Sequence, residues 1–262
     1  MTDLVAIRRE LEQRVVDAWD FADPAATADT FRRAADEERD PEASAVLRTQ
    51  QARATGLTGD FTEAARILDG IESSGVDVSA THARARLAIE RGRVLTSTGD
   101  AAGAGPYFVE GHRLATGAGV GGLALDALHM QAIAAGSTDG PDAARAIDER
   151  ALAEIEGSDD PQVRRWLGSI LNNLGWDLHD CGRPDEALSV FERAVEARAT
   201  ADDHSAWLVA RWCVGRTLRT LGRHDEALAL MRELVVDPVG ADDDHVHEEI
   251  AENVKAIAGR AP

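Results

Sequence analysis

Apolar and small residues recur at Leu171, Leu174, Gly175 and Leu178, the i, i+3, i+4, i+7 spacing of one helical face. "CGRPDEA" then ends that helix. Gly182 suits a left-handed cap, and Pro184 can open a new helix because its missing amide donor is not needed there. The following helix presents Ala187, Val190, Phe191, Ala194 and Val195 on its apolar face. A connection this short makes the two helices antiparallel. The same pattern returns in "VGRTLRTLGRHDEALALMREL", with Val214, Gly215, Leu218, Gly222, Ala227 and Met231 in the matching places. Upstream copies read "QARATGLTGDFTEAARILDGI", with Ala52, Gly59, Phe61, Ala64 and Leu68, and "RGRVLTSTGDAAGAGPYFVEG", with Gly92, Leu95, Gly99, Ala104 and Phe108. "HMQAIAAGSTDGPDAARAIDERAL" is a degraded copy, and "VVDAWDFADPAATADTFRRA" is the first. A closing helix over about 244–258 places Val246, Ile250, Val254 and Ile257 on one face, with Asp242 to Asp244 at its positive N-terminal end.

These segments resemble the tetratricopeptide repeat family, marked by Leu-Gly in the first helix, Gly-Asp or Gly-Arg at the turn, and Ala-x-x-x-Phe in the second. "NLGWDLHDCGRPDEALSVF" is a close match, although Leu178 and Leu218 stand where the family has tyrosine and the period is longer than its 34 residues. The resemblance implies an all-α, right-handed α-solenoid, a TPR-like superhelix of about six antiparallel helix pairs forming one domain over 1–262. One helix pair exposes an apolar face that only the next pair can cover, so stacking follows.

Composition supports helices. With 44% hydrophobic but only 4% aromatic residues, the core rests on Ala, Leu, Val and Ile. The net charge of −19 argues against nucleic acid, whose phosphates need clustered cations. No segment reads as a signal peptide or membrane span, so the expectation is a cytoplasmic protein with no membrane partner. Cys181 and Cys213 fit neither a disulfide framework nor a zinc site and read as free thiols.

Lys255 is the sole lysine, so nearly all positive charge is arginine, which forms bidentate contacts with carboxylates. In a stack of this kind the first helices line the concave side, one residue onward from their packing stripe. That rule selects Asn172, Trp176 and His179, then Trp212, Arg216 and Arg219, and upstream Arg53, Arg86 and Arg93. Asn173 stands where family members that grip C-terminal carboxylates carry an asparagine, but the flanking repeats lack the rest of that clamp. Arg and Trp are the residue types enriched at binding hot spots. The expected partner is therefore a protein or an acidic or C-terminal peptide held in the groove. The arginines have a second use open to them, pairing with carboxylates of neighbouring repeats, and the tryptophans a second place, in the core. Exposed solenoid ends also admit a homodimer.

No reaction is legible. "TGAGVGG" follows a helix and not a strand, so it reads as a flexible inter-repeat loop and not a dinucleotide fingerprint. His245 and His247 point to different helix faces, unlike a zinc pair, and His179 beside Cys181 has no visible orienting partner. The expectation is a non-enzymatic interaction module without catalytic residue, metal or cofactor. The alternative is a ligand- or peptide-sensing domain of a bacterial regulatory system.

Overall fold

The computed structural model describes residues 3–75, 80–199, 203–237 and 243–259. Its helices are α1 (Leu4–Asp17), α2 (Pro24–Glu37), α3 (Pro41–Leu57), α4 (Phe61–Ser73), α5 (Thr81–Ser97), α6 (Ala101–Ala118), α7 (Gly121–Thr138), α8 (Pro141–Glu156), α9 (Pro161–Arg164), α10 (Leu167–Asp180), α11 (Pro184–Ala199), α12 (His204–Thr220), α13 (His224–Val235) and α14 (Asp244–Ala258). There is no strand among the described residues.

Helix starts use a good part of the acidic excess. Asp3, Asp23, Asp40, Asp60, Asp100, Asp203 and Asp243 are N-caps whose carboxylates accept first-turn amides. A carboxylate there also meets the positive end of the helix dipole. Of the predicted acidic run, Asp242 lies outside the described residues. Helix ends use glycine: Gly59, Gly99, Gly140, Gly182 and Gly222 all have positive φ, open to a residue without Cβ.

The described residues fall into two compact units, residues 1–140 with 159–163 and residues 141–158 with 164–262. In the first, the ring of Phe108 on α6 fills the place opposite Gly92 on α5, where an added Cβ would lie 2.5 Å from Cε1. α1 buries only two aliphatic side chains, Leu11 and Val15. At about 1.5–3 kcal/mol each, their burial is a modest anchor. Its ion pairs carry it elsewhere: Arg8 meets Glu42 of α3 at 3.1 Å and Arg9 meets Asp160 at 2.9 Å. In the second unit, α10 and α11 repeat the glycine–aromatic device with Gly175 and Phe191. Leu171, Leu174, Leu178, Ala187 and Ala194 are buried as the periodicity predicts, while Val190 and Val195 are half-buried and Leu188 takes a core place.

Three local expectations change. "TGAGVGG" is not a flexible loop: α6 runs to Ala118, Gly119 turns the chain at φ 74°, and α7 begins at Gly121. The glycines serve close approach, since a Cβ on Gly121 would lie 2.6 Å from Val163 and one on Gly122 2.7 Å from the Gln162 carbonyl. The helices of the degraded fourth copy, α7 and α8, belong to different units. On α14 the buried residues are Val246, Glu249 and Asn253, with Val254 45% exposed, because Glu249 and Asn253 meet polar partners on α12 and α13.

Gly175→Ala should lower stability by about 1–3 kcal/mol, because the methyl must displace a fully buried Phe191 ring. Gly70→Ala, with nothing within 4 Å of the new methyl, should raise it by about 0.5–1 kcal/mol. Thermal melts followed by circular dichroism check both signs.

Candidate functional site

α5 of the first unit carries a polar face of His82, Arg86, Glu90 and Arg93, of which the periodicity selected Arg86 and Arg93. Arg86 is 4% exposed. Its Nε donates to Glu12 Oε1 at 3.0 Å, a second nitrogen donates to Glu12 Oε2, and a third lies 4.0 Å from Asp126. His82 Nε2 is 2.6 Å from the same Glu12 carboxylate. Burial alone would raise the Glu12 carboxyl, but the Arg86 charge and the His82 hydrogen bond outweigh it and hold it at about 2. Arg93 bridges Glu90, at 2.8 Å, and Asp126 of α7. Asp126 is likewise held at about 2: burial raises it, and Arg93 and Arg53 more than offset that.

Arg53, on α3, differs. Its guanidinium stacks 5.1 Å from the centroid of Trp19 and 5.8 Å from that of Phe21. It makes no ion pair or hydrogen bond among the described residues. Burial, then the neighbouring Arg93 charge, draw it down to about 10. Trp19 is itself placed by its indole N–H, which donates to Gln50 Oε1 at 3.1 Å. Arg53 and Arg93 line a cleft of about 330 Å³ together with Gly56, Phe61, Glu90 and Met130. The structure thus puts a half-buried guanidinium with no direct ion pair beside an aromatic stack at an open cavity. An external carboxylate is the chemical complement of that arrangement.

In the second unit the selected residues form a row. Trp176 lies 5.2 Å from Phe191, 5.9 Å from Trp212 and 5.3 Å from His179, centroid to centroid. His179 Nε2 is 3.0 Å from the Thr220 hydroxyl. Asn172 accepts from the Cys213 thiol at 3.4 Å, and Asn173 beside it in sequence is half-buried. Arg219 forms two hydrogen bonds to Glu249 of α14, at 2.6 and 3.0 Å, and Arg216 lies 3.2 Å from the same carboxylate. Arg86, Arg216 and Arg219 therefore pair directly with carboxylates of this chain, Arg93 bridges two, and Arg53 makes no direct ion pair among the described residues.

A second buried polar feature sits in this unit. Asp148 of α8 is fully buried, and neither of its oxygens meets an N–H or O–H donor among the described residues. Burial, then the Asp177 carboxyl of α10, push Asp148 up to about 8, and Asp177 is raised too. The pair holds a proton at neutral pH because two adjacent buried carboxyls cannot both ionise cheaply. Cys213 is pushed up to about 12 by burial, and the Cys181 thiol, hydrogen-bonded to Asp142 at 3.5 Å, is also raised. Neither is disposed toward thiolate chemistry. Among the described residues no group of three or more His, Cys, Asp or Glu is placed to hold a metal ion, and no helix is long and apolar enough to cross a membrane.

Sequence reasoning missed Glu12, His82, Glu90, Asp126 and Trp19. The signal for Glu12 was present, since Arg8, Leu11, Glu12 and Val15 share one helical face that is buried throughout. His82 and Arg86 are one turn apart on another.

A carboxyl pair raised in the folded state stabilises below its ordinary range near pH 4 and loses that contribution as pH rises toward 8. Asp148→Asn, whose amide can donate to Asp177, should therefore melt higher than the unmodified protein at pH 8 by about 2–4 °C or more, the shift that roughly 1 kcal/mol produces. At pH 5 the gap should shrink. Calorimetry at both pH values measures it, and a gap that widens at pH 5 contradicts the assignment.

Residues 166–235 match the tetratricopeptide repeat model. No curated protein matches the chain by sequence. Among solved structures, the chain is similar to a putative kinesin light chain of nearly identical TPR-like repeats from Podosopora anserina, at 16% identity and TM-score 0.57, over 83% of this chain and 100% of that one. It is similar to BtubC (BKLC) from P. vanneervenii at 15% identity and TM-score 0.64, over 96% and 94%. It is also similar to the apo form of the quorum sensor NprR from B. thuringiensis at 11% identity and TM-score 0.67, over 98% and 69%. Residues 166–235 thus resemble tetratricopeptide repeats, and the chain has the all-helical solenoid fold of tetratricopeptide-like repeat proteins.

Proposed function

We propose that this protein is a non-enzymatic interaction module that takes an acidic peptide, or a peptide's C-terminal carboxylate, at the cleft beside Arg53. One observation carries the reading: Arg53 is the selected arginine that makes no direct ion pair or hydrogen bond among the described residues, with Glu90 and Asp126 acting on it only through space, yet it is largely withdrawn from water and stacked on Trp19 and Phe21. A guanidinium so placed gains most from an incoming anion, because its desolvation is already met and its planar fork is held ready. Gly56, Phe61 and Met130 offer an apolar surface to the residue next to the carboxylate, and Arg93, paired with Glu90 and Asp126, lines the same cleft.

A second reading makes the ligand a signalling peptide. Its support is the fold-level likeness to the quorum sensor NprR. Both readings use the same guanidinium and differ in what ligand occupancy is for.

Labelled acidic and basic peptides of equal length, titrated by anisotropy, test the chemistry. Acidic peptides should bind with an affinity that falls as salt is raised. Arg53→Glu should weaken them by about 10- to 100-fold, the equivalent of a lost charge-assisted contact. Amidating the peptide C-terminus separates a terminal carboxylate from an acidic side chain as the recognised group. Equal binding of both peptide classes, or an Arg53→Glu protein that is folded and binds as before, would sink the proposal.

A further inference from the structure

The seat of α1 is built like a receptor for a helix. On α5, His82 and Arg86 converge on the carboxylate of Glu12, with His82 fully buried and Arg86 nearly so. One turn earlier on α1, the guanidinium of Arg8 is received by Glu42 at 3.1 Å and by the carbonyl of Ala118 at 3.5 Å. Leu11, between these charges, and Val15, one turn on, join an apolar core with residues of α2, α3, α4 and α5. The seat thus reads one face, Arg-x-x-Leu-Glu-x-x-Val, with a site for a cation, a site for an anion and two apolar sockets. At Gly119 the surface is cut back to admit α1, since an added Cβ would lie 3.0 Å from Val5.

The hold on α1 is narrow. Leu4 and Ile7 are 52% and 47% exposed, and the contacts beyond Leu11 and Val15 are mostly ionic: Arg9 to Asp160 at 2.9 Å and Arg14 to Glu38 at 3.5 Å join the two already named. Elements with few buried apolar contacts are the ones that open separately from the core. When α1 opens, Arg86 keeps Asp126 beside it at 4.0 Å and gains water.

From this we infer that α1 is an internal ligand: it leaves and re-enters its seat as one body, and the vacated seat binds, in trans, an amphipathic helix that presents an arginine and, four residues later, a glutamate between aliphatic residues. The inference goes beyond the Arg53 reading, because it uses His82, Arg86 and Glu42. Its failure would leave the Arg53 cleft untouched.

The probe is a labelled synthetic peptide of residues 3–18, titrated into the full chain. In the unmodified protein the tethered α1 competes at the high effective concentration of a short link, so the peptide binds weakly. Glu12→Arg in the protein sets a cation against Arg86 and empties the seat. The peptide should then bind at least tenfold more tightly, and a peptide carrying Glu12→Gln should lose at least tenfold of that gain. A folded Glu12→Arg protein that binds no better than the unmodified chain overturns the inference, as does indifference to the peptide's own glutamate. Should Glu12→Arg fail to fold, hydrogen exchange on the unmodified chain decides: α1 amides should exchange at least tenfold faster than those of α5 and α6, and equal protection overturns it.

Discussion

A guanidinium taken out of water is held best by a carboxylate, and that preference organises both units. Arg86 and Arg93 sit in the first unit with Glu12, Glu90 and Asp126 supplied from α1, α5 and α7. In the second, Arg216 and Arg219 converge on Glu249 of α14. Apolar faces made of alanine and leucine bind neighbouring helices strongly but locate them loosely, since one small residue packs much like the next. A buried charge pair tolerates little displacement, because breaking it leaves an uncompensated ion. The ion pairs therefore specify where a helix lies, and the apolar contacts hold it there.

Glycine and aromatic partners add a second constraint of the same local kind. The rings of Phe108 and Phe191 occupy space opened by Gly92 and Gly175. Each hairpin is thereby keyed within itself, and the polar pairs join helices distant in the chain. The protonated Asp148–Asp177 pair is the exception to the arginine rule, with two acids meeting where burial outweighs the nearby Arg145 charge. Its repulsion is relieved by a proton, which ties the second unit to pH through a carboxyl shifted in the opposite direction to Glu12.

For function, the consequence is that a count of groove arginines overstates the positive charge on offer. Most of that charge is neutralised from within, and the acidic partner of Arg86 is a residue of the protein's own first helix. What remains for an outside anion is concentrated at Arg53, where aromatic rings and not a carboxylate cover the guanidinium. Part of the chain's large negative balance sits at helix N-caps, while exposed i, i+3 pairs such as Arg66–Glu63 and Arg113–Glu110 neutralise further arginines.

The hairpins were legible in the sequence because helix periodicity, the Gly-Arg or Gly-Asp turn and the glycine–phenylalanine spacing are local, each acting within one or two turns of chain. Leu171, Gly175, Gly182 and Phe191 could be placed from neighbours alone. The polar partners could not. Glu12 and Arg86 are 74 residues apart, Arg219 and Glu249 are 30 apart, and nothing in the pattern of either helix names the other. On α14 the same ignorance put Val254 inward, where the fold buries Glu249 and Asn253 because arginine and histidine partners wait opposite them. Short-range sterics and periodicity thus settled what each segment becomes. Long-range pairing of desolvated charges, which depends on the positions of atoms far apart in the chain, was decided only in the tertiary structure.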